Sequence, residues 1–358
     1  MSGQRAAAIA WRSESLQRLE AERARSGQTP LRKFPLPPEW GIDLYLKDES
    51  MHLTGSLKHR LARALITDAV LTGRILEGTP LIEASSGSTA VSEAYFAKLL
   101  GLPFIAVIPK GTSTEKVSLI EEYGGTCHFV ATPSRVSHEA TELAEKLGGY
   151  FVDQFSNAAT VVDWRGEESL ASDFLNQMRF EPFPVPASVV VGAGTGGTSV
   201  GIAKYLRYCG HATEVVVVDP EGSAFYQAWV TGDRSVEAAG SRIEGIGRPL
   251  VEVSFTPEVI DRMLCVPDSA SVAGMRILAD RAGINAGPSS GTNLWGALNV
   301  IQEMRKQERK GSVVMLVCDR GDRYLDTFHS EEWLESEQLE PGGYLAAMER
   351  FLSGGQLV

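Results

Sequence analysis

A lysine that acts as a nucleophile needs an amine that is partly neutral and held in place. Lys58 stands in a setting that suits this task, in the run Thr54-Gly55-Ser56-Leu57-Lys58-His59-Arg60, where the segment Lys47-Asp48-Glu49-Ser50 turns into helical periodicity. The positive end of a helix dipole disfavours an ammonium, so a position near a helix N-terminus favours an imine-forming amine. Taken alone, Lys58 reads more readily as one of many surface lysines.

A second group, Ser85-Ser86-Gly87-Ser88-Thr89, lies between the apolar run LIEA and the helical pattern TAVSEAYFAKLLG. Four hydroxyl residues around one glycine place hydroxyls and backbone N–H groups at a helix N-terminus, which suits a carboxylate. An ordinary N-cap needs only one of them.

The third group runs from an apolar strand into a helix as Val191-Gly192-Ala193-Gly194-Thr195-Gly196-Gly197-Thr198. Glycines allow close backbone approach, and successive N–H groups form an anion nest. Gly192, Gly194 and Gly197 also satisfy the dinucleotide fingerprint G-x-G-x-x-G, with Asp219 about twenty residues on. Against a dinucleotide, the loop follows a whole α/β unit, and Thr195 and Thr198 add hydroxyl donors suited to a terminal phosphate. The turns Gly287-Pro288-Ser289-Ser290-Gly291-Thr292 and Arg242-Ile243-Glu244-Gly245-Ile246-Gly247 say little in isolation.

These groups need elements to hold them. Residues 9–25 read as a polar-faced helix, followed by the Pro-rich connector LRKFPLPPEW and a strand over 42–47. Strands over 80–84, 104–108 and 126–130 alternate with helices over 58–72, 89–100, 114–123 and 137–147. Strands over 187–191, 214–219 and 312–318 alternate with helices near 198–208, 269–282 and 292–306, and the tail from 339 reads as one short helix with a frayed end. Alternation with short connections implies α/β architecture, with mostly parallel sheets covered by helices on both faces. Two such sheets predict two domains and an active site in the interdomain cleft. The expected division is a smaller, mobile domain at 48–158 carrying the Ser/Thr loop, and a larger one of 1–47 plus 159–358 carrying the glycine loop.

Composition narrows the partners. Basic residues number 34 and acidic residues 45, a formal charge of -11, which argues against nucleic acid or an anionic membrane. Hydrophobic residues at 43% and charged residues at 22% are ordinary for a globular protein. Neither an eighteen-residue apolar run nor a secretory h-region is visible. Cys127, Cys209, Cys265 and Cys318 have no metal-like spacing, so a metal site and a disulfide framework are not expected. Each is expected to be a buried small hydrophobe, and the cytoplasm fits.

Together, in this order, the four loops resemble the cysteine synthase and cystathionine β-synthase family of pyridoxal-phosphate enzymes, which has the tryptophan synthase β-like fold (fold type II). The resemblance covers roughly residues 30–320. Within the family, the wording KDES-x-H-x-TGSLKHRLA, EASSGSTAVSEAYFA, SRIEGIGRP and GPSSGTNLWGA is similar to the bacterial L-cysteine desulfhydrase branch.

The resemblance implies pyridoxal 5'-phosphate as cofactor, with Lys58 as the imine lysine and the base that moves the α-proton. It implies that Gly194, Thr195, Gly196, Gly197 and Thr198 hold the phosphate and that Ser289 faces the pyridine nitrogen. Ser85, Ser86, Gly87, Ser88, Thr89 and Gln154 would receive the carboxylate of a small amino acid, and Gly245 and Gly247 would line the substrate mouth. A serine at the ring nitrogen makes a weaker electron sink than an aspartate, favouring prompt β-elimination or β-replacement. Cysteine synthases usually carry Asn where Ser88 stands, which alters the contact to the cofactor's phenolic oxygen, and commonly Asp where His59 stands. His59 is expected in the core or behind the site. The implied reaction is desulfhydration of L-cysteine to sulfide, pyruvate and ammonia by a homodimer. The alternative is a synthase making cysteine or another β-substituted alanine from O-acetylserine or a similar activated serine.

Overall fold

Valine-rich and aliphatic runs bounded by glycine or proline make the strands of this chain, and their lack of polar alternation marks sheets buried on both faces. The computed structural model describes residues 2–26, 28–166 and 169–357. Among these, the strands are β1 (Leu31–Phe34), β2 (Ile42–Asp48), β3 (Leu81–Glu83), β4 (Phe104–Pro109), β5 (Thr126–Val130), β6 (Tyr150–Phe151), β7 (Ser188–Gly192), β8 (Glu214–Pro220), β9 (Arg262–Val266) and β10 (Gly311–Val317). The chain divides into two units. One holds the N-terminal helix Ser2–Ser26 and His52–Val162; the other holds Gln28–Met51 and the chain from Asp163 onward.

In the smaller unit the strands run in the order β5-β4-β3-β6, all parallel. Strand β4 shows how one sequence serves two faces. Phe104, Ala106 and Ile108 pack with Ala62, Leu65 and Ile66 of helix Lys58–Leu71 and with Ala90 and Ala94 of helix Ser88–Leu100. Ile105 and Val107 point the other way, toward Ala140 and Ala144 of helix Val136–Leu147. The N-terminal helix belongs to this unit, whereas the sequence grouped it with the larger one. Ser15, Leu19 and Glu22 share one helical face, and all three are buried.

The larger unit orders its strands β1-β2-β10-β7-β8-β9, with only β1 antiparallel. Helices Asp268–Ala282 and Pro288–Lys306 cross so closely that a Cβ on Gly291 would lie 1.9 Å from the Ser271 carbonyl oxygen. The C-terminal helix Gly342–Leu352 adds Met348 and Phe351 to the same core.

Several expectations are corrected. The Pro-rich connector contains β1, an edge strand whose basic residues mask it. Strand β9 and helices Gln154–Val161, Leu170–Met178 and Phe225–Thr231 are further elements beyond those expected, short and partly exposed, so that periodicity does not mark them. Only Cys318 is a buried cysteine; Cys209 caps a helix end and Cys265 lies on edge strand β9, and both are exposed. No helix among the described residues is long and apolar enough to cross a membrane.

Lys47, in the middle of this core, has no solvent exposure. Its ammonium lies 2.7 Å from Asp173 Oδ2 and donates to the Thr29 carbonyl at 2.6 Å and to Gln177 Oε1 at 2.9 Å. Each of its three protons therefore has an acceptor, which offsets the desolvation of a buried charge. Lys47→Met removes the cation beside the buried Asp173 carboxylate and should lower the unfolding free energy by about 3–5 kcal/mol in urea titration. Asp173→Asn retains an acceptor and should cost less; equal effects would remove the charge from the explanation.

Candidate active site

Strands β3 and β6 are parallel neighbours, so their carboxyl ends open on the same edge of the small sheet. Strand β3 runs through residues 84–87 into helix Ser88–Leu100, with Gly87 at the N-cap. After β6, Asp153 caps helix Gln154–Val161 by accepting from the Ser156 amide at 3.2 Å. The two segments meet where Thr89 Oγ1 donates to Gln154 Oε1 at 2.7 Å. The segment holding Ser85, Ser86, Gly87, Ser88 and Thr89 is thus joined to Gln154. Ser85, Ser86 and Ser88 remain half-buried and Thr89 is buried. Amides of the first helical turn and these hydroxyls can serve one carboxylate.

Sequence reasoning missed what lies beneath this loop. Glu83 and Glu93 are both fully buried. Glu83 accepts from the Ala84 amide at 2.8 Å and the Gln154 amide at 3.2 Å, so one carboxyl ties both segments together. Neither oxygen of Glu93 receives an N–H or O–H donor, and its carboxyl meets that of Glu83. An ion so placed would be desolvated without compensation, so Glu93 keeps its proton and donates it to Glu83. Burial holds Glu93 well above the usual carboxylate range and pushes Glu83 up to about 8, against its two amide donors. The one available signal was a glutamate inside the otherwise apolar face AVSEAYFA.

Lys58 is the first residue of helix Lys58–Leu71, half-buried, after Gly55 at a φ of 69°. Ser56 Oγ accepts from the Lys58 amide at 3.2 Å, and Thr54 Oγ1 lies 2.9 Å from Ser92 Oγ. The lysine turn and the helix behind the Ser/Thr loop are therefore fastened to each other.

In the larger unit, β7 delivers residues 192–198 to the carboxyl edge of its sheet. Gly196 takes a φ of 89° at the N-cap of helix Gly197–Tyr208, and Thr195 Oγ1 accepts from the Gly197 amide at 3.3 Å. The Gly247 amide donates to the Ala193 carbonyl at 2.8 Å, and a Cβ on Gly192 would come within 2.8 Å of Ile246, so the 245–247 turn packs on this loop. Gly245 is exposed, at a φ of 87°. Strand β10, the neighbour of β7, ends where the Cys318 amide donates to Ser290 Oγ at 2.8 Å. That bond puts buried Ser289 at the same carboxyl edge. Helix Pro288–Lys306 starts four residues before the sequence suggested, because Pro288 at its first position is pre-set for helical φ. Asp219, the residue a dinucleotide reading would place on a ribose, is buried and accepts from the Tyr226 amide at 2.7 Å.

The glycine loop fits a phosphate ester. A Cβ on Gly196 would lie 2.7 Å from Phe255 Cα and 2.8 Å from the Ser254 carbonyl oxygen, so this backbone shape is reserved for glycine. Beyond it, the first-turn amides of the helix, which no helical carbonyl takes up, and the hydroxyls of Thr195 and Thr198 supply donors for a dianion. The residues present suit pyridoxal phosphate.

Gly196→Ala should strain the backbone by about 1–3 kcal/mol and shrink the rise in melting temperature that added pyridoxal phosphate produces; an unchanged rise would remove residue 196 from the phosphate site. Folding raises the pKa of Glu83 from 4.5 to about 8, so the folded chain holds that proton more tightly than the unfolded one. The contribution of this carboxyl to stability is therefore full below 4.5 and is lost as pH climbs from there through about 8. Glu93→Gln, which still donates to Glu83, should flatten the decline between roughly pH 5 and 8 in thermal melts. Glu93→Ala should cost about 2 kcal/mol at neutral pH.

Comparison with known proteins agrees with this geometry. The family model described as "Pyridoxal-phosphate dependent enzyme" matches residues 23–319. The chain is 53% identical to the L-cysteine desulfhydrase Cds1 of Mycobacterium tuberculosis over 95% of its own length and 94% of that protein's. It is 30% identical to the cystathionine beta-synthase of Apis mellifera, over 87% of this chain and 61% of that one. The crystal structure of O-ureido-L-serine synthase superposes with a TM-score of 0.73 at 28% identity, covering 87% of this chain and 97% of the other. The chain belongs to the family of pyridoxal-phosphate dependent enzymes, and pyridoxal 5'-phosphate is its cofactor.

Proposed function

We propose that the chain is an L-cysteine desulfhydrase, a C–S lyase that releases sulfide, pyruvate and ammonia. The observation that carries this reading is the 53% identity to a desulfhydrase across 95% of the chain, a span that includes every loop described above.

Bound to the chain, pyridoxal phosphate supplies an electron sink for negative charge at the substrate α-carbon. The chain's own groups do the rest. Gly194, Thr195, Gly196, Gly197 and Thr198 hold the phosphate. Ser85, Ser86, Gly87 and Thr89, with Gln154, receive the substrate carboxylate and fix the orientation of the α-carbon. Ser88 stands beside them as a contact to the cofactor, and Gly245 leaves room for the substrate. Lys58 anchors the cofactor and its Nζ takes the α-proton. Ser289 offers a neutral hydroxyl at the ring nitrogen, which disfavours lasting charge at the α-carbon and so favours quick loss of the β-thiol.

A second reading, β-replacement on O-acetylserine or a similar activated serine, is favoured by the likeness to O-ureido-L-serine synthase. The two reactions diverge in whether water or a second nucleophile reaches the site first. We further propose a cytoplasmic homodimer, a reading supported by the resemblance to the cysteine synthase family and by four cysteines that stand as free thiols.

Purified holoenzyme given L-cysteine should release sulfide and pyruvate in equal amounts, and Lys58→Ala should cut the rate by at least about 100-fold. Neither product appearing, with the cofactor bound, would overturn the lyase reading. Faster turnover of O-acetylserine with sulfide than of cysteine alone would favour the synthase.

A further inference from the structure

The residue after Lys58 is a histidine with no solvent exposure, and each of its ring nitrogens has a partner. His59 Nε2 lies 3.0 Å from Glu22 Oε1 on the N-terminal helix, and Nδ1 lies 3.1 Å from Thr54 Oγ1. Thr54 Oγ1 is 2.9 Å from Ser92 Oγ, which is 2.8 Å from the carbonyl oxygen of Ser88. Four contacts in series thus join helix Ser2–Ser26 to the first residue of helix Ser88–Leu100, through the turn that leads to Lys58. Glu22, Thr54, His59 and Ser92 are all at most 2% exposed, out of reach of bulk water.

The Ser88 carbonyl only accepts, so Ser92 donates to it. Thr54 must then donate to Ser92, which leaves Thr54 Oγ1 as an acceptor toward His59. Nδ1 therefore carries a proton, and a second proton lies between Nε2 and Glu22. A neutral ring facing an ionised carboxylate holds one proton too few, and one link of the chain fails.

We propose that His59 is a positioning residue for the reaction: through Glu22, Thr54 and Ser92 it sets the Lys58 turn in register with the 85–89 loop, and the register is complete only while the Glu22–His59 pair holds two protons. This rests on the roles assigned above to Lys58 and to that loop.

The groups facing the imidazole work in both directions. Burial is the largest influence on the ring and, with the nearby charges of His52 and Arg63, holds it below the ordinary histidine value against the bond and charge of Glu22, which favour the second proton. Burial raises the Glu22 carboxyl, but His59, Arg63 and His52 outweigh it and hold the carboxyl below its ordinary value. The His52 ring stacks on His59 at 4.9 Å, Arg63 Nη1 lies 3.6 Å from Glu22 Oε2, and Tyr95 and Phe96 close the remaining sides. The pair gives up its second proton as pH rises, and the register loosens with it.

Nitrogen-15 labelling of histidine in the wild-type holoenzyme reads the ring directly, with the His59 signals identified by their loss in His59→Asn. Both ring nitrogens should be protonated, or exchanging with Glu22, at pH 6, with Nδ1 losing its proton as pH rises. A bare Nδ1 at pH 6 overturns the proposal. Thr54→Val cuts the chain with little change of shape. It should raise KM for L-cysteine at least fivefold and slow the coupling of Lys58 to pyridoxal phosphate added to cofactor-stripped enzyme, read by borohydride trapping and mass spectrometry. Thr54→Ser should restore both, whereas unchanged KM and unchanged coupling in Thr54→Val would overturn the proposal. If wild-type enzyme does not act on cysteine, the nitrogen spectra and the trapping rate still report on His59, so failure of the desulfhydrase reading is told apart from failure of this one.

Discussion

A polar group taken wholly out of water must be given a partner, and that constraint shapes every loop that carries a candidate reactive residue. Glu83 holds the start of the Ser/Thr loop and the start of the Gln154 helix because a buried carboxyl needs those two amides. Glu93 has no donor but can be one, so the two acids satisfy each other. Lys47 gathers Thr29, Asp173 and Gln177 by the same need. Each network fixes backbone that a surface loop would leave free, and loops fixed in this way can present donors to a ligand without reordering on binding.

Parallel sheets supply the second ingredient. Because β3 and β6 point the same way, as do β7 and β10, each pair of loops opens on one edge of its sheet. The edge is where strands hand over to helix N-termini, so unpaired amides collect there. Strand β2 ends on the same edge as β10 and β7, and from it the chain continues through residues 49–51 toward Lys58. Lysine, hydroxyl loop and glycine loop lie far apart in sequence, yet each comes after a strand of this kind, and Ser289 is tied to the end of β10 through the Ser290 hydroxyl.

How much of this was legible in the sequence depends on what kind of signal each feature leaves. Long aliphatic runs, such as those of β7, β8 and β10, and the glycines of the phosphate loop show through periodicity and backbone need, and they emerge as read. Strand β1 does not, because an edge strand tolerates Arg32 and Lys33, which look like connector residues. Helix Leu170–Met178 has only nine residues, too few for periodicity to declare itself, yet it carries Asp173 and Gln177 to Lys47. Glu22, Glu93 and His59 are the hardest case. Their importance lies in partners 37 residues apart for Glu22 and His59, and across a strand–helix pair for Glu83 and Glu93, and no local pattern encodes that pairing.

The same limit decides between the two readings of the glycine loop. Spacing alone lets Gly192, Gly194, Gly197 and Asp219 stand for a dinucleotide site. What separates the readings is the state of one carboxylate, and burial sets that state. Asp219 is enclosed at the end of β8, and burial pushes its carboxyl up to about 6 even with the Tyr226 amide bound to it. A group so enclosed, and already accepting from its own chain, has no oxygen turned outward to take two ribose hydroxyls. The glycines are then left with one task that matches their geometry, the close approach of backbone to a single phosphate, and the hydroxyls of Thr195 and Thr198 are placed to serve it.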